Sequence, residues 1–337
     1  MLSTNYRTFG KTKVRVSELA LGTMHFKWII SEKQSFDLLD NYVDLGGNLI
    51  DTADMYTQWG EGLSGGEAET TIGKWMGERK NREQIFLTTK VRSRMWEGVD
   101  GEGLSRAHII KACDASLKRL QTDHIDLYMS HWPDSETSIE ETTAAYGKLI
   151  DDGKVKYIGL SNYGGAELER ALEVSERIGV KYVCIEPHYN LLNRNSFELG
   201  DLAIVREKGI AVIPYSPLAG GFLTGAYREE GKLPDTLRAK FTKEHMLERN
   251  LELINLLEEI GENHERTIAQ VALAWLLSHE WITSPIIGPE TTEQLEEDIA
   301  STGFLLKKEE IVSINSFTHV HAGREIRTLA SANGNGP

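Results

Sequence analysis

Asp51 and Tyr56 lie five residues apart in IDTADMY (50–56), where an apolar run ends. A carboxylate and a phenol at that separation can begin a proton-transfer site. Each also has a plainer use, Asp51 as the cap of a following helix and Tyr56 as a half-buried aromatic. Two later apolar runs, IFLTTK (85–90) and IDLYMSHWP (125–133), end in Lys90 and His131. Alone, Lys90 would read as a strand-end lysine snorkelling to water and His131 as a satisfied structural histidine. Taken in order, the four make a set. A free phenol ionises near ~10, too high to exchange its proton freely at neutral pH. A nearby ammonium favours the phenolate and lowers that value, so Lys90 can tune Tyr56. A lysine at the buried end of a strand needs a counter-charge, which Asp51 can supply. His131 can hydrogen-bond an oxygen that gains negative charge.

Consecutive strands would place these residues together, and the chain alternates accordingly. Apolar runs at 19–22, 48–51, 85–90, 125–130, 155–161, 182–186, 210–215 and 284–288 read as strands. Several are apolar on both faces, as in a buried parallel sheet. Helices are expected near 31–46, 66–77, 104–120, 138–152, 166–178, 195–208, 266–279 and 291–301. The third carries Ile110, Cys113, Leu117 and Leu120 at helical spacing behind a Ser105 N-cap. Eight strand–helix units predict a single (β/α)8 TIM barrel over residues 1–329. The runner-up, a doubly wound sheet, lacks a GxGxxG after its first strand. A hairpin around Gly10 (6–17) precedes the barrel, and extra helices follow strand seven (248–262) and end the chain (307–316). Loops at 91–103 and 216–247 border one face of the barrel. The tail 330–337 is small and polar and is expected to be disordered.

The composition sets bounds. Of 337 residues, 40% are hydrophobic and 26% charged, which suits a large globular core. A net charge of −14 without a basic block argues against nucleic acid and anionic membrane as partners. Cys113 and Cys184 read as buried small hydrophobes, with no disulfide framework and no metal site. No secretory leader and no run near the ~20 apolar residues of a membrane span stand out. A cytoplasmic enzyme is the expectation.

The motifs LALGTM (19–24), IDTADMY (50–56), LTTK (87–90), DLYMSHWP (126–133), GLSNY (159–163), HYNLLNR (188–194) and PYSPLAGGFLTG (214–225) resemble those of the aldo-keto reductases, in that family's order. The resemblance implies a nicotinamide cofactor bound extended, without a metal. It also implies carbonyl–alcohol interconversion by hydride transfer, with Asp51, Tyr56, Lys90 and His131 as the catalytic tetrad. It assigns Ser161 and Asn162 to the nicotinamide carboxamide, Tyr215 to stacking on the ring, and Ser216, Leu218 and Gly220 to the pyrophosphate. Gly22, Thr23, Met24 and Asp51 also fall on the cofactor side. The run GPETTEQLEED (288–298) matches the adenosine-phosphate site, with Gly288, Gln294, Glu297 and Asp298.

Two positions depart from the pattern. Glu186 stands where the family usually has glutamine; if ionised, it would favour NAD+ over NADH. Glu290 stands where many members have a basic residue for the 2′-phosphate, so NAD(H) is favoured over NADP(H), with Arg228 as an alternative phosphate ligand. Met24, Phe26, Trp28, Trp59, Trp96 and Trp132 lie in mouth loops. Of these, Met24, Trp28, Trp96 and Trp132, with Tyr56 and His131, are expected to meet a small-molecule aldehyde, ketone or sugar. Two further functions are compatible with the same motifs: a sugar dehydrogenase running towards oxidation, and a redox-sensing subunit that binds a partner.

Overall fold

A computed structural model describes residues 2–228, 242 and 245–318. The tail at 330–337 and much of the loop expected at 216–247 lie outside the described residues. Strands β1 (Tyr6–Thr8) and β2 (Arg15–Ser17) pair antiparallel as the expected hairpin. Eight parallel strands follow: β3 (Ala20–Gly22), β4 (Leu49–Asp51), β5 (Phe86–Val91), β6 (Ile125–Ser130), β7 (Val155–Ser161), β8 (Tyr182–Glu186), β9 (Ala211–Val212) and β10 (Ile286–Ile287). The ladder runs in chain order, and β10 pairs with β3. The seam between β9 and β10 is closed just past their ends, by Thr283 N–H donating to Val212 O at 2.8 Å and Ile286 N–H to Pro214 O at 2.9 Å. The chain is a (β/α)8 barrel.

Alternation along each strand sorts side chains into two apolar layers. Ala20, Leu49, Phe86, Leu127, Met129, Cys184, Ala211 and Ile213 fill the barrel. Leu21, Ile50, Leu87, Val91, Tyr128, Ile158, Leu160, Ile185 and Val212 meet the helices. Phe9, from the hairpin, enters the inner layer with its ring centroid 4.9 Å from that of Phe86. Phe86 begins β5, so the hairpin plugs the N-terminal end of the barrel and leaves the C-terminal end for the site.

The helices begin where the sequence offers caps. Ser31, Ser105, Ser138, Thr267 and Thr291 each accept the N–H three residues on. Two expectations shift in detail. On the helix Arg106–Leu120 the buried stripe is His108, Ile109, Ala112, Cys113, Ser116 and Leu120, with Ile110 and Leu117 at its margin. The C-terminal end of this helix packs closely on the helix Glu67–Arg79, where a Cβ at Gly73 would stand 2.3 Å from Arg119 O. The helix expected at 195–208 opens as a π turn, Phe197–Asp201, before continuing as Leu202–Lys208. Within that turn Asp201 Oδ1 accepts the Gly165 N–H at 2.6 Å. Both cysteines are free and buried.

Candidate active site

Parallel strands in register bring their last residues level with one another. Gly22 lies beside Asp51, Asp51 beside Thr88, Lys90 beside Met129, and Ser161 beside Glu186. Lys90, on the barrel-facing side of β5, is wholly buried. Its ammonium donates to Asp51 Oδ1 at 2.7 Å, Asp51 Oδ2 at 2.6 Å, Thr52 O at 3.1 Å and the Tyr56 hydroxyl oxygen at 3.1 Å. Asp51 is completed by Thr88 Oγ1 at 2.6 Å and, distantly, by the Tyr56 hydroxyl at 3.5 Å. Thr88 and Thr52 escaped the sequence reading. Thr88 precedes Lys90 by two residues and so shares its face, which is the signal that could have found it.

His131 follows β6, its N–H donating to Val91 O at 3.0 Å. Its ring lies 5.9 Å from that of Tyr56, and its buried Nδ1 has no hydrogen-bond partner among the described residues. Burial, with Lys90 and Arg92 nearby, holds the imidazole well below its usual pKa, so it is neutral.

Glu186 brings a second carboxylate to the lysine, with Oε2 3.4 Å from Nζ. No hydrogen bond reaches that oxygen. Burial and repulsion from Asp51 push the Glu186 pKa up to about 8, against the pull of Lys90. Lys90 itself is disfavoured by burial but held well above its usual value by Asp51 and Glu186. At neutral pH a protonated Glu186 therefore lies beside the Lys90 ammonium. A protonated glutamate both donates and accepts, as glutamine does, so the negative charge expected from sequence appears only above about pH 8.

Tyr56 departs from the simple expectation. Lys90 pulls its pKa down, but burial outweighs that pull, with Asp51 and Glu186 adding to the rise. The phenol is a neutral donor held in place.

Of the residues that the sequence assigns to a cofactor, Gly22, Thr23, Ser161 and Glu186 adjoin this cluster. Thr23 Oγ1 donates to Asp51 O at 2.9 Å, while Gly22 is packed so closely that a Cβ would meet Ile286 Cγ2 at 2.8 Å. Asn162, at φ 60°, donates to His131 O at 2.9 Å and accepts the Tyr215 hydroxyl at 2.7 Å. Ser161 Oγ reaches Glu186 O at 3.3 Å, and the Tyr215 ring stacks on His188. Ser216, Ala219, Gly220 and Gly221 all have positive φ. For the first two residues that is costly, and such backbone forms the concave N–H surfaces that suit phosphate oxygens. Gln294 accepts the Glu290 N–H at 2.8 Å at the start of the helix Thr292–Ile299. Glu297 O accepts from Gln270 at 3.0 Å, and Asp298 is buried. Gly288 begins that segment. Arg228 pairs with Glu258 at 2.8 Å. A buried carboxyl facing Ser161, Asn162 and Tyr215, followed by a left-handed Gly-rich turn, fits a nicotinamide dinucleotide.

Aromatic rings border the mouth. Centroid spacings run Trp28–Trp59 5.4 Å, Trp59–Tyr56 6.3 Å, Tyr56–His131 5.9 Å and His131–Trp132 3.8 Å. Met24, Trp59 and Trp132 are exposed. Phe26 instead sits in the core, and Trp96 packs on His108 under the Lys111 ammonium. Asp54, in the same motif as Asp51, is buried with neither carboxyl oxygen hydrogen-bonded to a described residue, and burial with nearby Glu69 raises its pKa well above the usual carboxylate range.

Residues 18–319 match the aldo/keto reductase family. Over 317 residues the chain is 38% identical to an oxidoreductase of Bacillus subtilis strain 168 named YrpG, an alignment covering 92% of this chain and 94% of that protein. It is 32% identical over 322 residues to L-glyceraldehyde 3-phosphate reductase of Escherichia coli O157:H7, with 92% and 91% covered. It is 31% identical over 319 residues to a Schizosaccharomyces pombe protein provisionally named a voltage-gated potassium channel subunit beta, with 90% and 89% covered. The chain belongs to the aldo/keto reductase family and is an oxidoreductase, from a family that uses nicotinamide cofactors.

Glu186 yields a stability prediction. Its pKa is raised on folding, so its contribution is fully present below the unfolded value and is lost as pH rises through about 8. Glu186→Gln removes that loss. Thermal unfolding should show the variant about as stable as wild type near pH 4.5 and a few degrees more stable at pH 9. A gap that does not widen with pH would place an ionised, solvated glutamate there.

Proposed function

We propose that this protein interconverts a small carbonyl compound and its alcohol with a nicotinamide cofactor, with Tyr56 as the general acid in reduction and the base in oxidation. The observation that carries the reading is the shared contact of the Lys90 ammonium with both Asp51 oxygens and the Tyr56 hydroxyl. When bound, the cofactor supplies or accepts the hydride. Tyr56 and His131 hold the carbonyl oxygen between them. The neutral His131 can donate one hydrogen bond without adding charge. As the oxygen gains charge, Tyr56 gives up its proton, and the resulting phenolate lies beside an ammonium already oriented by Asp51. The lysine thus acts where charge develops and changes the resting phenol little. Ser161, Asn162 and Glu186 orient the carboxamide end of the cofactor, and the Ser216–Gly221 turn receives its phosphates.

The cofactor is read as NAD(H). Glu290 lies in a run, GPETTEQLEED, without Lys or Arg, and Arg228 is engaged by Glu258. A carboxylate repels a 2′-phosphate and can accept from free ribose hydroxyls. The aromatic mouth supports aldehydes, ketones or the apolar faces of sugars, including a sugar dehydrogenase working towards oxidation. The relative named as a channel subunit keeps open a redox-sensing, partner-binding role on the same site. A cytoplasmic setting belongs to this reading.

Steady-state kinetics with NADH and NADPH against aldehydes, ketones and sugars test it. Tyr56→Phe should bind cofactor almost as wild type does while kcat falls at least ~10²-fold; a variant keeping most of its turnover removes Tyr56 from the mechanism. For the cofactor, kcat/KM should favour NADH in the wild type and shift towards NADPH in Glu290→Arg. A wild type preferring NADPH by about tenfold, or an arginine variant without gain, overturns the NAD assignment.

A further inference from the structure

Arg92 is the first residue beyond β5. Val91 pairs with Ser130, so Arg92 falls abreast of His131 on the neighbouring strand. Its backbone φ is 159°, close to extended. Its charge is felt at His131, at Asp134 and at Tyr163.

What sets Arg92 apart is its lack of a partner among the described residues. Arg7, Arg82, Arg119 and Arg194 are half-buried too, and each pairs with a carboxylate: Glu18, Asp126, Glu69 and Glu198. Half-buried Arg92 makes no ion pair and no side-chain hydrogen bond with any described residue, and its Nε is buried without an acceptor. The nearby Asp134 carboxylate is taken by the Leu104 and Glu136 N–H groups, at 2.7 and 3.0 Å. Arg94, two residues on, is engaged by Glu102 and by the carbonyls of Trp96 and Gly98. In a chain of net charge −14 carboxylates are plentiful, yet none of the described ones is placed on Arg92. A guanidinium is costly to desolvate without an acceptor, and its planar fork matches carboxylate or phosphate.

We propose that Arg92 anchors an anionic group, phosphate or carboxylate, carried by a short-chain carbonyl substrate. The inference rests on the carbonyl-reduction reading above. Arg92 stands two residues beyond Lys90, about 6.6 Å along the chain direction of the strand, and its charge acts on His131, so the anionic end of a short-chain substrate is the group proposed for it. His131 in turn stacks on Trp132.

The experiment has two arms, both on the full chain. In the first, inorganic phosphate is titrated calorimetrically into wild type, Arg92→Gln and Arg94→Gln. Wild type and Arg94→Gln should bind phosphate alike and Arg92→Gln about tenfold more weakly; equal binding by Arg92→Gln overturns the proposal. In the second, kcat/KM is compared for glyceraldehyde 3-phosphate, succinic semialdehyde and uncharged glyceraldehyde. Wild type should prefer one of the anionic aldehydes by about tenfold or more, and Arg92→Gln should lose that preference. Which anionic aldehyde is favoured separates phosphate from carboxylate. A wild type that turns over glyceraldehyde as well as either anion overturns the inference and leaves carbonyl reduction standing. A wild type that reduces no aldehyde defeats the carbonyl reading, and the phosphate arm alone then decides Arg92.

Discussion

A fully buried ammonium is the constraint on which the site depends. Lys90 has no access to water, and an isolated charge there would lose its proton or unfold the barrel. Both oxygens of Asp51, the Thr52 carbonyl and the Tyr56 hydroxyl surround it instead. Those groups come from the end of β4 and the loop after it, so the ion pair ties that loop to β5. Tyr56 is positioned as a consequence, because its hydroxyl completes the lysine's shell. Barrel, loop and phenol are thus one electrostatic unit.

The second carboxylate gives the unit its balance. Lys90 cannot neutralise Asp51 and Glu186 together, and burial makes the surplus expensive. The proton that Glu186 keeps at neutral pH resolves the conflict. It also restores to the glutamate the hydrogen-bonding character of an amide, so the departure from glutamine changes the site less at neutral pH than the residue type alone suggests.

Much of this was legible in the amino-acid order, for physical reasons. Strands apolar on both faces, separated by capped amphipathic helices, leave few folds other than the barrel. Asp51, Lys90 and His131 could be placed because strand ends in a parallel barrel all open on one face. Other features depend on proximity between distant residues. The 3.4 Å approach of Glu186 to Lys90, the raised pKa of buried Asp54 and the lack of a described partner for Arg92 have no signature in spacing. Phe26 and Trp96 look like mouth residues in sequence, yet Phe26 belongs to the core and Trp96 rests against a helix. On the helix Arg106–Leu120 the buried stripe takes in Ala112 and Ser116 and leaves Ile110 and Leu117 at its margin, a choice that helical spacing alone does not make.

The central claim is that the Lys90–Asp51 pair holds this end of the barrel together, and a double-mutant cycle measures it directly. Urea unfolding of Lys90→Met should show a loss of about 3–5 kcal/mol, because Asp51 is left buried without its cation. Adding Asp51→Asn should return a large part of that loss, since the orphaned charge is gone. A Lys90→Met protein as stable as wild type, or a double variant whose loss is the simple sum of the two single ones, would contradict the account.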